Sequence, residues 1–411
     1  MLLPRPAECR AGDEALVRGA WSEAREAFEA AVRIREIPEA LEGLGNAAWW
    51  LDLGDLVFDV RERAYRLYLA QDDHVGAARG AVWRAWDYSA FCGEAAVSKG
   101  WLRRARRLLD GQPACSERAW LELREAALCL LDDADPQRAH QLAGHGIRIA
   151  LEANNTDFEM LGRAVQGLAL VASGSVIEGM RNLDEVNAAV IAGELTDLVA
   201  IGLSNCYMIA ACERVRDYDR AVQWCTPLKA FCAKWRLRPP FAVCRTQYAS
   251  VCLWRGTWLE AEQELCAASE ELAATRPAMT GEALVRLAEL RRRQGRSEEA
   301  ASLFDRTPPR GLGLLGRAEL AFDRGDRRSA AKQASRYLRQ VPLQNRTDRA
   351  SGLELLIRAL ADLGDADGAS TALSELSSIA AQAATIPLRA AASPMDSPSA
   401  RLKYCGWSPK A

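Results

Sequence analysis

The feature that most constrains this chain is a period of about 40 residues, marked by short turns. Turns fall at Gly19, Gly54, Gly93, Asp133, Gly174, Arg216, Gly256, Gly295, Gly325 and Gly364, spaced 35, 39, 40, 41, 42, 40, 39, 30 and 39 residues apart. A repeat of this length, with no strict apolar alternation between the turns, is that of stacked helical hairpins. A chain leaving a helix commonly passes through a left-handed residue. That conformation costs an L-residue about 1–2 kcal/mol and glycine almost nothing.

A second register runs through the same segments. Seven residues before the turn sits a small residue: Gly12, Ala47, Ala126, Gly167, Ala249, Ala288 or Ala318. Five after it comes Ala24, Ala221, Ala261, Ala300, Ala330 or Ala369, and nine after it Phe28, Leu102, Leu142, Leu183, Leu265, Phe304 or Leu373. The i, i+4 spacing puts the small and the large residue on one face of the second helix. The small residue before the turn lets the two helices approach. The expected fold is all-α, a right-handed superhelical solenoid of about ten tetratricopeptide (TPR)-like hairpins over residues 1–392. Stacked at roughly 10 Å per helix layer, they would form a curved rod on the order of 100 Å long with an open concave groove.

Composition narrows the functions. The 411 residues are 49% hydrophobic and 26% charged, the balance of a folded protein, and the net charge of −2 supplies no field for nucleic acid or an anionic membrane. No signal-peptide pattern opens the sequence, and no unbroken apolar run of about 18 residues is present. Twelve unpaired-looking cysteines fit reduced thiols in the cytoplasm better than a disulfide framework.

The segments Trp21 to Ala31, Trp49 to Gly54, Gly281 to Ala300 and Arg389 to Ala392 resemble the TPR arm of large actinobacterial LuxR-type transcriptional regulators. The resemblance implies an arm that senses a ligand or partner and controls a C-terminal helix-turn-helix domain. No G-x-x-x-x-G-K-[ST] phosphate loop and no helix-turn-helix domain accompany it in this sequence. At Ser393-Pro394 the composition changes in mid-helix. Residues 393–411 are therefore expected to be an irregular tail, disordered or non-native, as in a truncated or frame-shifted product.

Chemistry-bearing residues mostly have plainer readings. Cys206, Cys212, Cys225, Cys232, Cys244, Cys252 and Cys266 cluster without a C-x-x-C or a nearby histidine, so they read as buried small hydrophobes rather than metal ligands. His74, His140 and His145 match no catalytic signature. Asp132, Asp133 and Asp135 fall where a turn and an N-cap before Pro136 are due, which outweighs a Mg²⁺ site of an all-α enzyme. The runs Arg103 to Arg107 and Arg291 to Arg293 read as solvated helix faces. No catalytic residue, metal or cofactor is expected.

The helical register turns Trp83, Asp87, Trp120, Glu213, Arg214, Thr246, Ser250, Trp254 and Arg292 toward the concave groove. Aromatic walls with convergent charges suit a protein or peptide segment, or a small polar effector. The expected function is a non-catalytic binding module, the sensor arm of such a regulator, without direct nucleic acid or membrane binding. An independent protein-interaction scaffold is the alternative, and an all-α enzyme ranks behind both.

Overall fold

The computed structural model describes residues 5–235 and 239–393, with backbone alone at 228–229, 231–235 and 239–244. The first five hairpins are α1 (Ala7–Val17) with α2 (Trp21–Ile34), α3 (Pro38–Trp50) with α4 (Gly54–Ala70), α5 (His74–Asp87) with α6 (Ala95–Leu108), α7 (Ser116–Leu131) with α8 (Pro136–Glu152), and α9 (Thr156–Ser173) with α10 (Val176–Ala192). Five more follow. They are α11 (Leu198–Val215) with α12 (Tyr218–Trp235), α13 (Pro239–Arg255) with α14 (Trp258–Thr275), α15 (Thr280–Arg293) with α16 (Ser297–Asp305), α17 (Gly311–Asp323) with α18 (Arg327–Gln340), and α19 (Arg346–Asp362) with α20 (Ala366–Ala383). A short α21 (Ile386–Ala392) begins an eleventh unit. The tail expected over 393–411 lies, Ser393 apart, outside the described residues.

The turns behave as the period predicts, with two shifts. Gly19, Gly93, Gly174, Gly256, Gly295, Gly325 and Gly364 are left-handed, and Arg216 holds φ 62° where glycine is missing. In the second hairpin the left-handed residue is Asp52 (φ 59°), with Gly54 opening α4, and in the fourth it is Ala134 rather than Asp133. Asp135 accepts the Arg138 amide at 3.0 Å and caps α8 ahead of Pro136.

The small-to-large register forms the core. Phe28 is fully buried in the first hairpin, and a Cβ on Gly12 would lie 2.7 Å from its ring. Leu183, Leu265 and Phe304 repeat that role. The tenth hairpin slips: Ala369 and Leu373 are partly exposed while Ala372 and Leu376 take the buried places. Here the hairpin packs against α21 instead of a full further repeat.

First helices pack on one another, α7 on α9, α9 on α11, α11 on α13, α13 on α15, and form the inner layer. Among them, α11 has the length and hydropathy of a membrane span, but more than half of it is buried and its Glu213 and Arg214 are ion-paired inside the fold. It is placed as a core helix of the solenoid.

The open rod expected from ten stacked layers does not form. The array coils until hairpins about five apart touch: the α14–α15 connection meets α3, and α19 packs on α9 and α11. Small rotations between repeats accumulate, and with hairpins this long the coil closes on itself.

Backbones of the fifth hairpin approach closely at Gly167, where a Cβ would sit 2.9 Å from the Gly179 carbonyl oxygen of the partner helix. Gly167→Ala should lower stability by about 1–3 kcal/mol through overpacking. Chemical denaturation would show it as a lower midpoint, and an unchanged midpoint would mean the pair is looser than described.

Candidate functional site

Coiling turns the concave face into a lumen. The α10–α11 connection lies against the first three hairpins and leaves a cavity of about 800 Å³ between them. Trp21, Trp49, Trp50 and Trp83 wall one side, and Val190, Ile191, Leu195 and Ile201 the other. Asn46, Arg61, Thr196 and Asn205 place polar groups among them.

The indoles form a continuous array. Trp21 stacks on Trp50 at 5.0 Å, Trp49 meets Trp83 and Trp86 edge-on, and Trp83 stacks on Trp86 at 5.5 Å. Trp120 lies 6.0 Å from Trp83 and stacks on Phe158. Guanidinium groups sit against these faces. Arg61 lies over Trp83 at 4.4 Å while donating to both Asp87 oxygens at 2.7 and 2.8 Å and to the Asn46 side-chain oxygen. Burial pushes the Asp87 carboxyl above its ordinary range, against the pull of Arg61, Arg276 and Arg84.

Arg276 binds the coil together. From the α14–α15 connection it donates to Asp52 at 2.7 Å and to the Trp49 carbonyl at 2.9 Å, with its plane over Trp49 and Phe91. Burial pushes its pKa down, with Asp52 opposing.

A second cluster lies farther along the inner layer. Arg286 of α15 donates to both Glu213 oxygens and, at 2.9 Å, to Ser250, whose hydroxyl donates to Glu213 at 2.8 Å. Burial pushes the Glu213 carboxyl up, but Arg286 and Ser250 outweigh it and hold it below the usual range.

The nine residues assigned to the groove therefore divide. Trp83, Asp87 and Trp120 join the indole array, and Glu213 and Ser250 join the Arg286 cluster, with buried Thr246 one turn before Ser250 on α13. Arg214 turns to Asp348 at 2.8 Å across the coil, and Arg292 pairs with Glu289 at 2.7 Å. Trp254, 40% exposed, stacks on Tyr218 and carries Arg293 at 3.8 Å. The sequence register did not single out Trp49, Trp50, Arg61, Arg276 or Arg286. The tandem Trp49-Trp50 was the available signal for the first two; partners 26 to 227 residues away gave none for the arginines.

Other candidates resolve quietly. Cys212 and Cys225 are buried, and burial pushes the Cys212 thiol up; the Cys232 and Cys244 side chains lie outside the described residues. No group of three potential metal ligands occurs among the described residues. Lys99 pairs with Asp133, and Arg106 pairs with Glu122 and Glu125.

No protein-family model matches the sequence, and no curated protein matches it. Solved structures do. The Rap protein complexed with Competence and Sporulation Factor is similar at a TM-score of 0.60 and 10% identity, covering 91% of this chain and 99% of that one. Yeast Tom70 follows at 0.36 and 12%, covering 94% and 93%, and the human IFIT1 dimer with m7Gppp-AAAA at 0.47 and 11%, covering 93% and 92%. At these identities the likeness speaks to fold alone. The chain is a TPR-like superhelical solenoid.

Two outcomes are expected. Arg276→Met leaves Asp52 buried without its cation, which typically costs about 3–5 kcal/mol; small-angle scattering should show a larger radius of gyration, and an unchanged radius would deny the contact its role. Glu213 has a lowered folded pKa, so its stabilisation is complete above the unfolded value of about 4.3 and fades as pH falls below it. Glu213→Gln should flatten the acid limb of a stability–pH curve while lowering stability at neutral pH.

Proposed function

We propose that this chain is a non-catalytic recognition module whose occupant, a protein or peptide segment or a small polar effector, binds in the lumen of the superhelix. The observation that carries the reading is the cavity of about 800 Å³ walled by four indoles with a few polar groups among them. Its size and lining match those of small-molecule and short-segment sites, where apolar walls supply affinity and sparse polar groups set orientation. The Rap neighbour was solved in complex with a factor, which agrees with a ligand-binding use of this fold.

The finer reading is a sensor arm of a LuxR-type regulator, acting in the cytoplasm. The sequence resemblance supports it, and a lumen formed by distant hairpins offers a way for an occupant to alter the coil. An open reading frame continuing past Ala411 into a helix-turn-helix would favour this; an independent scaffold would have none.

Site-specific photocrosslinking tests the main reading. A benzophenone amino acid at Ile191, exposed and lining the cavity, should capture an occupant in cells, and Trp83→Leu should reduce that yield. The same probe at Leu259, 74% exposed and away from the cavity, should not. Capture from Leu259 alone would move recognition to the outer surface.

A further inference from the structure

Most inner-face arginines named above have a carboxylate. Arg61 has Asp87, Arg276 has Asp52, Arg286 has Glu213 and Arg214 has Asp348. Arg124 of α7 is different. It has no ion pair or hydrogen bond among the described residues, and it lies 4.1 Å from the Trp86 ring centroid and 5.5 Å from that of Trp120. Two more donors beside it are unsatisfied. Among the described residues the buried Trp120 indole N–H has no acceptor, and the Tyr207 hydroxyl, on α11, makes no hydrogen bond. Burial pushes the Arg124 pKa down, opposed by the charges of Tyr207 and, without an ion pair, of Asp132.

We propose that Arg124 is the anchor for a carboxylate carried by the occupant of the lumen, an inference that rests on the recognition reading above. A guanidinium with its planar donor fork is suited to a carboxylate, bound through two parallel N–H···O bonds. The neighbouring Tyr207 hydroxyl can donate to the same group. Trp86 and Trp120 form an apolar wall beside it, and Trp86 stacks on Trp83 of the cavity lining, so one indole links the anion point to the cavity wall. A single cation balances a monoanion. A phosphate dianion would leave a net negative charge in aromatic surroundings, an unfavourable state. The occupant class is an organic acid, or a peptide presenting a free C-terminus or an acidic side chain, with an apolar body.

The test compares three simple probes on the full chain: benzoate, its neutral isostere benzamide, and phenyl phosphate, followed by tryptophan fluorescence and calorimetry. Benzoate should bind at least about tenfold more tightly than benzamide, the loss expected when a charge-assisted hydrogen bond is removed. Arg124→Gln should abolish that preference while leaving benzamide binding unchanged, and Tyr207→Phe should reduce it. Without ligand, Arg124→Gln should remain folded and lose little stability, about that of its contacts with the two indole faces, since it removes a cation that has no ion pair among the described residues.

Equal binding of benzoate and benzamide, or no binding of benzoate, overturns the anion site. So does a benzoate preference that survives Arg124→Gln, and so does unfolding of that variant, which would make Arg124 structural. Tighter binding of phenyl phosphate would overturn the carboxylate assignment. Crosslinking from Ile191 reads the recognition module independently: capture there with no benzoate preference would sink this inference and leave that reading standing.

Discussion

The contact of Arg276 with Asp52 and the Trp49 carbonyl joins parts of the chain more than 220 residues apart. A repeat array is otherwise held by neighbours alone, and its curvature is set by small rotations that each interface tolerates. A buried guanidinium that must meet a carboxylate, a carbonyl and two ring faces removes that tolerance. If the coil opened, Asp52 and Arg276 would lose buried partners, a far larger penalty than a surface ion pair would carry. The connection Pro277–Met279 and the π-helical turn Tyr88–Cys92 also meet here, so the closure involves backbone as well as side chains.

Closure changes what the inner face is. Side chains that would stand in water along an open groove instead face one another, and the indoles gather into an array. Arginines suit such surroundings because a guanidinium is weakly hydrated and stacks on aromatic faces while keeping its charge. Their carboxylates come from neighbouring or distant hairpins, as with Glu213 for Arg286 and Asp348 for Arg214. The inner face, apolar in its cavity walls, therefore pairs most of its own charges. That leaves its few unsatisfied donors as the places where an occupant has something to add.

Much of the fold was legible because it is local. Turn spacing, the pairing of Gly12 with Phe28 and the approach of Gly167 to Gly179 all lie within one or two hairpins, where helical periodicity fixes which residues can meet. The misreadings were small where the physics stayed local: Asp52 and Ala134 took left-handed positions read at Gly54 and Asp133, since the chain has slack of a residue or two at a turn. The site was harder. The register turned Trp83, Asp87 and Trp120 inward, but it had no means of pairing Arg61 with Asp87 or Arg276 with Asp52.

The sequence by itself determined ten helical hairpins, their small-to-large interlocking and an inner face rich in tryptophan. Those follow from contacts between residues close in the chain, which periodicity encodes directly. The tertiary structure decided that the solenoid coils shut, that neighbouring and distant hairpins supply the carboxylates for its inner arginines, and that Arg124 makes no ion pair among the described residues. These depend on rotation summed over many interfaces, so a degree gained or lost at each repeat decides which residues meet across the coil.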